Sequence, residues 1–177
     1  MEQQKEQPVE VRAGAKQLAR FGICVVLLIL LDQVTKRAAQ SLLQDEPALS
    51  VIPGVFELQY LENRGSAFGL LQGQRVLFLV MAGCMLLVVP YIYSRIPLTK
   101  RFRYLRIIAI LFLSGAVGNA IDRLLHGYVI DFFYFSLIDF PIFNVADIYV
   151  TVSTFFLIVC ILFYYKDEDF AQIHLRT

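Results

Sequence analysis

The sequence predicts an α-helical membrane protein with four transmembrane helices, and three observations lead to that fold class. The chain of 177 residues is 58% hydrophobic and has a mean hydropathy of +0.62, which is too apolar for a soluble domain of this length. Four apolar stretches approach the roughly 20 residues needed to cross a hydrocarbon core about 30 Å thick. Basic residues cluster in some connections between these stretches and not in others, as in membrane proteins of fixed orientation.

Flanking charges set the limits of the four predicted spans. The spans run from about Leu18 to Ala39, Val76 to Tyr93, Leu105 to Ile121 and about Val145 to Tyr165. The first has an uninterrupted apolar core only from Phe21 to Leu31, and such a short core is also found in secretory signal peptides. No small-residue cleavage site follows it, so a retained helix is the preferred interpretation.

Asp32 and Lys36 support this interpretation of the first span. They are four residues apart, so on a helix they lie on the same face and can form an ion pair. Pairing lowers the cost of carrying two charges near the membrane interface. We therefore expect both residues to belong to one helix.

Lysine and arginine residues in the connections predict the orientation, because they favour the cytoplasmic side. They are frequent in the N-terminal tail and between the second and third spans, whereas residues 40–74 and 122–144 carry more acidic than basic side chains. We therefore expect both termini inside and both acidic connections outside (N-in/C-in). In the first of these, Pro53 and Gly54 precede alternating apolar and polar residues up to Leu61, which predicts a small extracytoplasmic β-sheet resting on the outer membrane face.

Residues 131–147 read DFFYFSLIDFPIFNVAD, and they place carboxylates within an aromatic and aliphatic segment, where a charge usually has a function. One continuous helix would separate Asp131 from Asp147 by roughly 24 Å, and a strand would separate them further. Pro141 and the start of the fourth span indicate instead that the chain folds back before it enters the membrane at Asn144. The two carboxylates could then meet.

Spacing alone leaves a second interpretation of these acids open. Asn144 is a good helix N-cap, and Asp147 in the first helical turn would be favoured by capping and by the helix dipole. Asp131 and Asp139 would then be loop acids. If Asp131 and Asp147 do meet, one keeps a proton while the other accepts one from water, and such a pair hydrolyses amides without a metal or a covalent intermediate. The helix start favours Asp147 as the ionised member.

Polar residues also gather where the third span ends. Asn119 lies one turn before Asp122 and Arg123, and Asp122 needs Arg123 or Lys36 as a partner because an acid at a helix C-terminus is unfavourable. Asn63 follows the predicted strand in a glycine-containing segment, which taken alone is more typical of a turn than of a binding site.

Other features point to structural roles. Ser114 and Gly118 form a small-xxx-small pair that lets another helix approach closely. The three cysteines fall inside the predicted spans, where packing is a more ordinary role for them than a disulfide or a metal site. The expectation is therefore no metal and no cofactor.

Five blocks in order resemble lipoprotein signal peptidase, the bacterial signal peptidase II. They are Asp32-Gln33-Val34-Thr35-Lys36, Asn63-Arg64-Gly65-Ser66-Ala67-Phe68, Gly115-Ala116-Val117-Gly118-Asn119-Ala120-Ile121-Asp122-Arg123, Gly127-Tyr128-Val129-Ile130-Asp131-Phe132 and Phe143-Asn144-Val145-Ala146-Asp147. The resemblance implies a four-helix aspartic endopeptidase of the bacterial plasma membrane. It would remove signal peptides from diacylglyceryl-modified prolipoproteins, cutting before the lipid-modified cysteine.

The resemblance also implies roles for individual residues and partners. The acids matching Asp131 and Asp147 form the catalytic dyad of the family. Residues that contact substrate or inhibitor match Asn63 and Arg123, and residues that support the site match Asp32, Lys36, Asn119 and Asn144. The partners implied are prolipoprotein substrate, membrane lipid and cyclic-peptide inhibitors of the globomycin type, with no nucleic acid. The peptidase domain would comprise residues 17–166, between cytoplasmic tails at 1–16 and 167–177.

One hypothesis about the site and two rival functional classes remain to be weighed against the structure. The aromatic run Phe132, Phe133, Tyr134 and Phe135 is expected to cover the site as a lid. The rival functional class is a small transport or conduction protein, in which acids would be distributed through the depth of the bilayer; a third is a non-enzymatic assembly subunit. Neither of these two classes needs paired carboxylates.

Overall fold

A computed structural model describes residues 13–65 and 73–173 of the chain. The helices in this part are α1 (Ala15–Leu43), α2 (Arg75–Arg95), α3 (Arg103–Leu125), α4 (Val145–Val159, continued by a π-helical turn, Cys160–Tyr164) and α5 (Asp167–Gln172). The strands are β1 (Leu49–Ile52), β2 (Phe56–Asn63) and β3 (Val129–Tyr134), and a 3₁₀ turn follows at Ser136–Ile138. Within the described residues, α1 to α4 are long and apolar enough to cross a membrane, which confirms the four predicted spans.

The first three helices are longer than predicted. α1 continues to Leu43, past the predicted end at Ala39, and α3 continues to Leu125, past Ile121. The prediction took charged residues as helix ends, but Asp122 is buried with only 1% of its surface exposed and is paired. A charge that is satisfied inside the protein does not need to mark the membrane boundary.

Helix α3 packs against each of the other three long helices, and two of its glycines make close approach possible. A Cβ atom on Gly115 would lie 2.7 Å from Val150 Cγ2 of α4, and one on Gly118 would lie 2.7 Å from Asp32 Oδ2 of α1. Ser114, four residues before Gly118, is fully buried and also faces α1, near the Val25 carbonyl. The predicted small-residue pair is therefore located at the α1–α3 contact, while Gly115 serves the α3–α4 contact.

The sheet is antiparallel in the order β1-β2-β3. The strand predicted after Pro53 and Gly54 is β2. These two residues form the turn between β1 and β2, where Gly54 has a φ of +70°. β2 pairs with β3 so that Asn63 lies opposite Val129 and Leu61 opposite Asp131. Alternation along β3 places Val129 and Asp131 on one face, and Ile130 and Phe132 on the other.

Apolar clusters hold the two ends of the bundle. Ile130 and Phe132 pack with Ala39 and Leu43 of α1 and so fix the sheet to the helices. At the opposite end Phe102 stacks on Tyr165, with ring centroids 5.8 Å apart. α5 belongs to this second end, since Asp169 Oδ2 forms an ion pair with Arg101 Nη2 at 2.7 Å.

Candidate active site

The chain folds back between β3 and α4, and this return brings Asp131 and Asp147 to one cavity. Phe133 and Phe143 exchange backbone hydrogen bonds of 2.8 and 3.0 Å, and Asn144 follows immediately. Both aspartates line a cavity of about 1050 Å³. The structure therefore removes the objection that a continuous helix or strand would hold the two acids far apart.

Asn144 connects the two aspartates. It is the N-cap of α4, where its Oδ1 accepts the Asp147 backbone N–H at 3.0 Å and its own N–H donates to Asp147 Oδ2 at 3.1 Å. Its side-chain Nδ2 donates to Asp131 Oδ1 at 2.6 Å. The capping interpretation of Asp147 is thus correct, and the same cap places Asp147 beside the residue that holds Asp131.

Two further amides complete the hydrogen bonding of the carboxylates. Asn63 Nδ2 donates to Asp131 Oδ2 at 2.8 Å, which is possible because Asn63 and Asp131 are diagonal neighbours on the same face of the sheet. Asn119 Nδ2 donates to Asp147 Oδ1 at 2.7 Å. Every oxygen of the two carboxylates therefore accepts a hydrogen bond from nitrogen.

The orientation of each amide is fixed by a partner that can only donate. Asn63 Oδ1 accepts the Gly65 backbone N–H at 2.9 Å, and Asn144 Oδ1 accepts that of Asp147. Asn119 Oδ1 accepts from the Lys36 ammonium at 2.8 Å. Each Nδ2 must then point toward a carboxylate, so the network presents donors to both acids.

Lys36 is also the centre of a buried ionic cluster behind the aspartates. Its Nζ lies 2.9 Å from Asp32 Oδ2 and 2.9 Å from Asp122 Oδ2, and all three residues are at most 1% exposed. Together with Asn119, these acids use all three donors of the ammonium group. The predicted Asp32–Lys36 pair is present, and Asp122 uses Lys36 rather than Arg123 as its partner.

The two acids of the cluster also bind backbone groups of other elements. Asp32 Oδ1 accepts the Ala146 N–H at 2.9 Å, and Asp122 Oδ2 accepts the Ile130 N–H at 3.2 Å. The first of these satisfies an N–H in the first turn of α4, which has no partner within the helix. The cluster thus fixes the start of α4 and the β3 strand, which carry Asp147 and Asp131.

Gln33 belongs to this cluster, although the sequence interpretation gave it no role. Its Nε2 donates to Asp122 Oδ1 at 2.8 Å and lies 3.2 Å from Asp32 Oδ2. A polar amide beside an acid in an apolar span was the available signal. That signal does not identify the partner of Gln33, because Asp122 is 89 residues away along the chain.

Arg123 lines the same cavity as the aspartates but binds other groups. Its Nη2 donates to the Gly65 carbonyl at 2.7 Å, and its guanidinium lies 4.1 Å from the ring centroid of Phe78. It therefore joins α3 to α2 and to the segment after β2. Residues 66–68 of the predicted block that begins at Asn63 lie outside the described residues.

Burial and charge both perturb Asp131. Its side chain is 1% exposed, and this burial, together with the nearby charge of Asp147, raises the pKa of Asp131 to about 7. The hydrogen bonds from Asn63 and Asn144 act in the opposite direction, since they favour the ionised form. The carboxyl of Asp131 can therefore hold a proton near neutral pH.

The aromatic residues 132–135, which were predicted to form a lid, are not among the described residues that line the cavity. Phe132 is 5% exposed and packs in the cluster against α1, because strand alternation turns it away from the face that carries Asp131. The aromatic wall of the cavity comes from the returning segment, through Phe140 and Phe143. Asp139 lies outside the cavity lining and accepts a 2.7 Å hydrogen bond from the Tyr134 hydroxyl, as expected of a loop acid.

Comparison with known proteins identifies the family. The family described as signal peptidase (SPase) II matches residues 24–163 of the chain. The chain is 40% identical over 144 residues to a lipoprotein signal peptidase of Clostridioides difficile (strain 630), covering 81% of this chain and 95% of that protein. The chain belongs to the signal peptidase II family. A lipoprotein signal peptidase of Streptococcus pyogenes serotype M5 (strain Manfredo) is 37% identical over 152 residues, covering 86% of this chain and 97% of the relative.

Solved structures agree with this signal peptidase II assignment. Two are described as bacterial membrane enzyme structures determined by the in meso method, at 2.3 and 1.9 Å resolution. They superpose with TM-scores of 0.70 and 0.71 at 26% and 27% identity, covering 90% and 88% of this chain and 94% and 99% of theirs. The chain is thus a multi-pass membrane peptidase of lipoprotein processing, and the transport and assembly hypotheses are set aside.

Proposed function

We propose that the chain is an aspartic endopeptidase that removes the signal peptide from diacylglyceryl-modified prolipoproteins, cutting just before the lipid-modified cysteine. The observation that carries this proposal is the shared cavity, in which Asp131 and Asp147 face the same space and are both held by Asn144. Two carboxyls in one buried site are the arrangement that activates water for amide hydrolysis.

In the proposed reaction the two acids have complementary states. Ionised Asp147 removes a proton from the attacking water, while protonated Asp131 donates its proton to the scissile carbonyl oxygen as the tetrahedral intermediate forms. On collapse, Asp147 passes its proton to the leaving nitrogen and Asp131 recovers the one it gave. The raised pKa of Asp131, about 7, supports its role as the proton donor, although the pair titrates jointly.

The surrounding residues have supporting roles in this proposal. Asn63 and Arg123 line the cavity and would contact substrate, with Asn63 also holding Asp131. Asn119, Asn144, Asp32 and Lys36 would keep the two carboxylates in place. A cyclic peptide of the globomycin type would inhibit by occupying the same cavity.

The proposed topology places the site at the outer face of the bacterial plasma membrane. Both termini would be cytoplasmic, with the peptidase domain at residues 17–166 between the tails 1–16 and 167–177, and the sheet would rest on outer-leaflet lipid. The basic residues of the α2–α3 connection support this orientation. Reporter fusions test this orientation. A reporter in the α2–α3 connection should be cytoplasmic and one placed after β1 should be extracytoplasmic, and the reverse result would reverse the assignment.

The decisive experiment incubates purified protein with a diacylglyceryl-modified prolipoprotein. Wild type should release the signal peptide, whereas Asp131→Asn and Asp147→Asn should each lose turnover by several orders of magnitude, because neither variant has both carboxyls. Asp139→Asn is the matched control, since Asp139 is in the same segment but outside the cavity lining. Cleavage that survives both dyad substitutions would refute the proposal.

A further inference from the structure

Thr151 differs from every other polar side chain that lines the cavity. The others, including Asn63, Asn119 and Arg123, all have hydrogen-bond partners. Among the residues that the structure describes, the Thr151 hydroxyl has none. The cavity wall thus contains one polar group that is available to a ligand.

The Thr151 hydroxyl is not used within its own helix. Serine and threonine in helices commonly bond back to a carbonyl of the preceding turn, as Ser114 does to Ile110 at 2.7 Å and Ser153 does to Val150 at 3.0 Å. Thr151 makes no such bond. Once a ligand excludes water from the cavity, an unpaired hydroxyl is unfavourable, so the ligand should supply an acceptor.

The position of Thr151 defines which part of a ligand it would meet. It lies four residues after Asp147 on α4, which is about 6 Å farther along the helix axis into the span. The lining of the cavity also includes the apolar side chains of Met81, Met85 and Phe112. A segment bound here would have apolar side chains. The acceptor for the Thr151 hydroxyl would therefore have to come from its backbone.

The backbone of a signal peptide meets this requirement. Under the proposed function, on which this inference rests, the substrate crosses the membrane as an apolar helix that ends near the scissile bond. The last four carbonyls of a helix have no partner within it. These carbonyls lie about one turn from the bond to be cut, which matches the axial distance from Asp147 to Thr151.

We propose that Thr151 is a substrate-binding residue whose hydroxyl donates a hydrogen bond to a backbone carbonyl in the last turn of the signal peptide. The contact strengthens binding of the last turn of the peptide and stays in place while the scissile bond reacts at Asp131 and Asp147. Since it involves backbone, it acts on signal peptides of differing sequence.

The test compares Thr151→Val, which keeps the shape but removes the hydroxyl, with Thr151→Ser, which keeps the hydroxyl. With a diacylglyceryl-modified prolipoprotein, Thr151→Val should raise KM by about 5- to 10-fold, the effect of one neutral hydrogen bond. Its kcat should stay the same, because the contact exists in both ground and transition states. Thr151→Ser should remain within about twofold of wild type.

Thr154→Val is the matched control on the same helix. Thr154 is exposed, does not line the cavity and has no hydrogen bond among the described residues. The KM of Thr154→Val should therefore equal that of wild type. A KM for Thr151→Val within twofold of wild type would overturn the inference, as would equal losses in Thr151→Ser or Thr154→Val, or a fall in kcat alone. Wild type that fails to cleave would instead reject the proposed function itself, and this inference with it.

Discussion

Asp131 is subject to opposing effects at the scale of single residues. Two amides stabilise its ionised form, while burial and the charge of Asp147 favour its protonated form. The balance raises its pKa to about 7, far above the ordinary range of an aspartate. A carboxyl in this condition can donate a proton at a pH where an exposed aspartate cannot.

The raised pKa predicts an alkaline limit to activity. Above about pH 7 the protonated form of Asp131 becomes scarce, so kcat/KM should fall by about tenfold per pH unit. The measurement is cleavage of diacylglyceryl-modified prolipoprotein at low substrate concentration from pH 5 to 9. Asp139→Asn should show the same profile, and a rate that stays level to pH 9 would exclude Asp131 as the proton donor.

The α3–α4 contact matters most at the scale of elements, because it places Asn119 beside Asp147. Gly115 allows this contact, since any Cβ there would meet the backbone of Ala146 and the Val150 side chain. The start of α4 is rigidly held by Asn144 and Asp32. The two helices therefore have little freedom to adjust to a larger side chain.

Gly115→Ala should accordingly destabilise the protein by about 1–3 kcal/mol, the usual cost of overpacking, and should reduce turnover. Gly83→Ala in α2 is the control, because nothing lies within 4 Å of a Cβ there and alanine is the better helix former. Thermal unfolding in detergent measures the stability of the two variants, and cleavage of diacylglyceryl-modified prolipoprotein measures their turnover. Equal melting temperatures for the two variants would show that the close contact does not limit helix packing.

The ionic cluster around Lys36 acts at the scale of the whole molecule. It joins α1 to α3 through Asp122, to α4 through Asp32 and to β3 through the Ile130 N–H. These bonds are buried, and each group of the cluster depends on the others for compensation of its charge. The cluster therefore holds the two aspartate-bearing elements in one arrangement.

Lys36→Met should destabilise the protein by about 3–5 kcal/mol, because it leaves Asp32 and Asp122 buried without a cation. Lys16→Met changes an exposed lysine of the same helix and should alter stability by only a few tenths of a kcal/mol. Unfolding in detergent and the yield of folded protein report the difference. If both variants were equally stable, the cluster would not be a structural requirement.

Local features of the molecule were predictable from the sequence. Asn144 and Asp147 form the expected helix cap because capping depends on residues three positions apart. The four spans were predictable because length and hydropathy are properties of continuous segments. The functional roles of Asp131 and Asp147 came from a family resemblance, and they stay predictions until the variants are assayed.

Only the tertiary structure decided which helix faces meet. Lipid tails are as apolar as a protein core, so hydropathy does not distinguish a packed face from a lipid-facing one. The partners of Gln33 and Asn63 are 89 and 68 residues away along the chain, beyond the reach of any local pattern. The sequence determined the number of spans and the start of α4, whereas long-range hydrogen bonds determined that two distant carboxylates share one cavity.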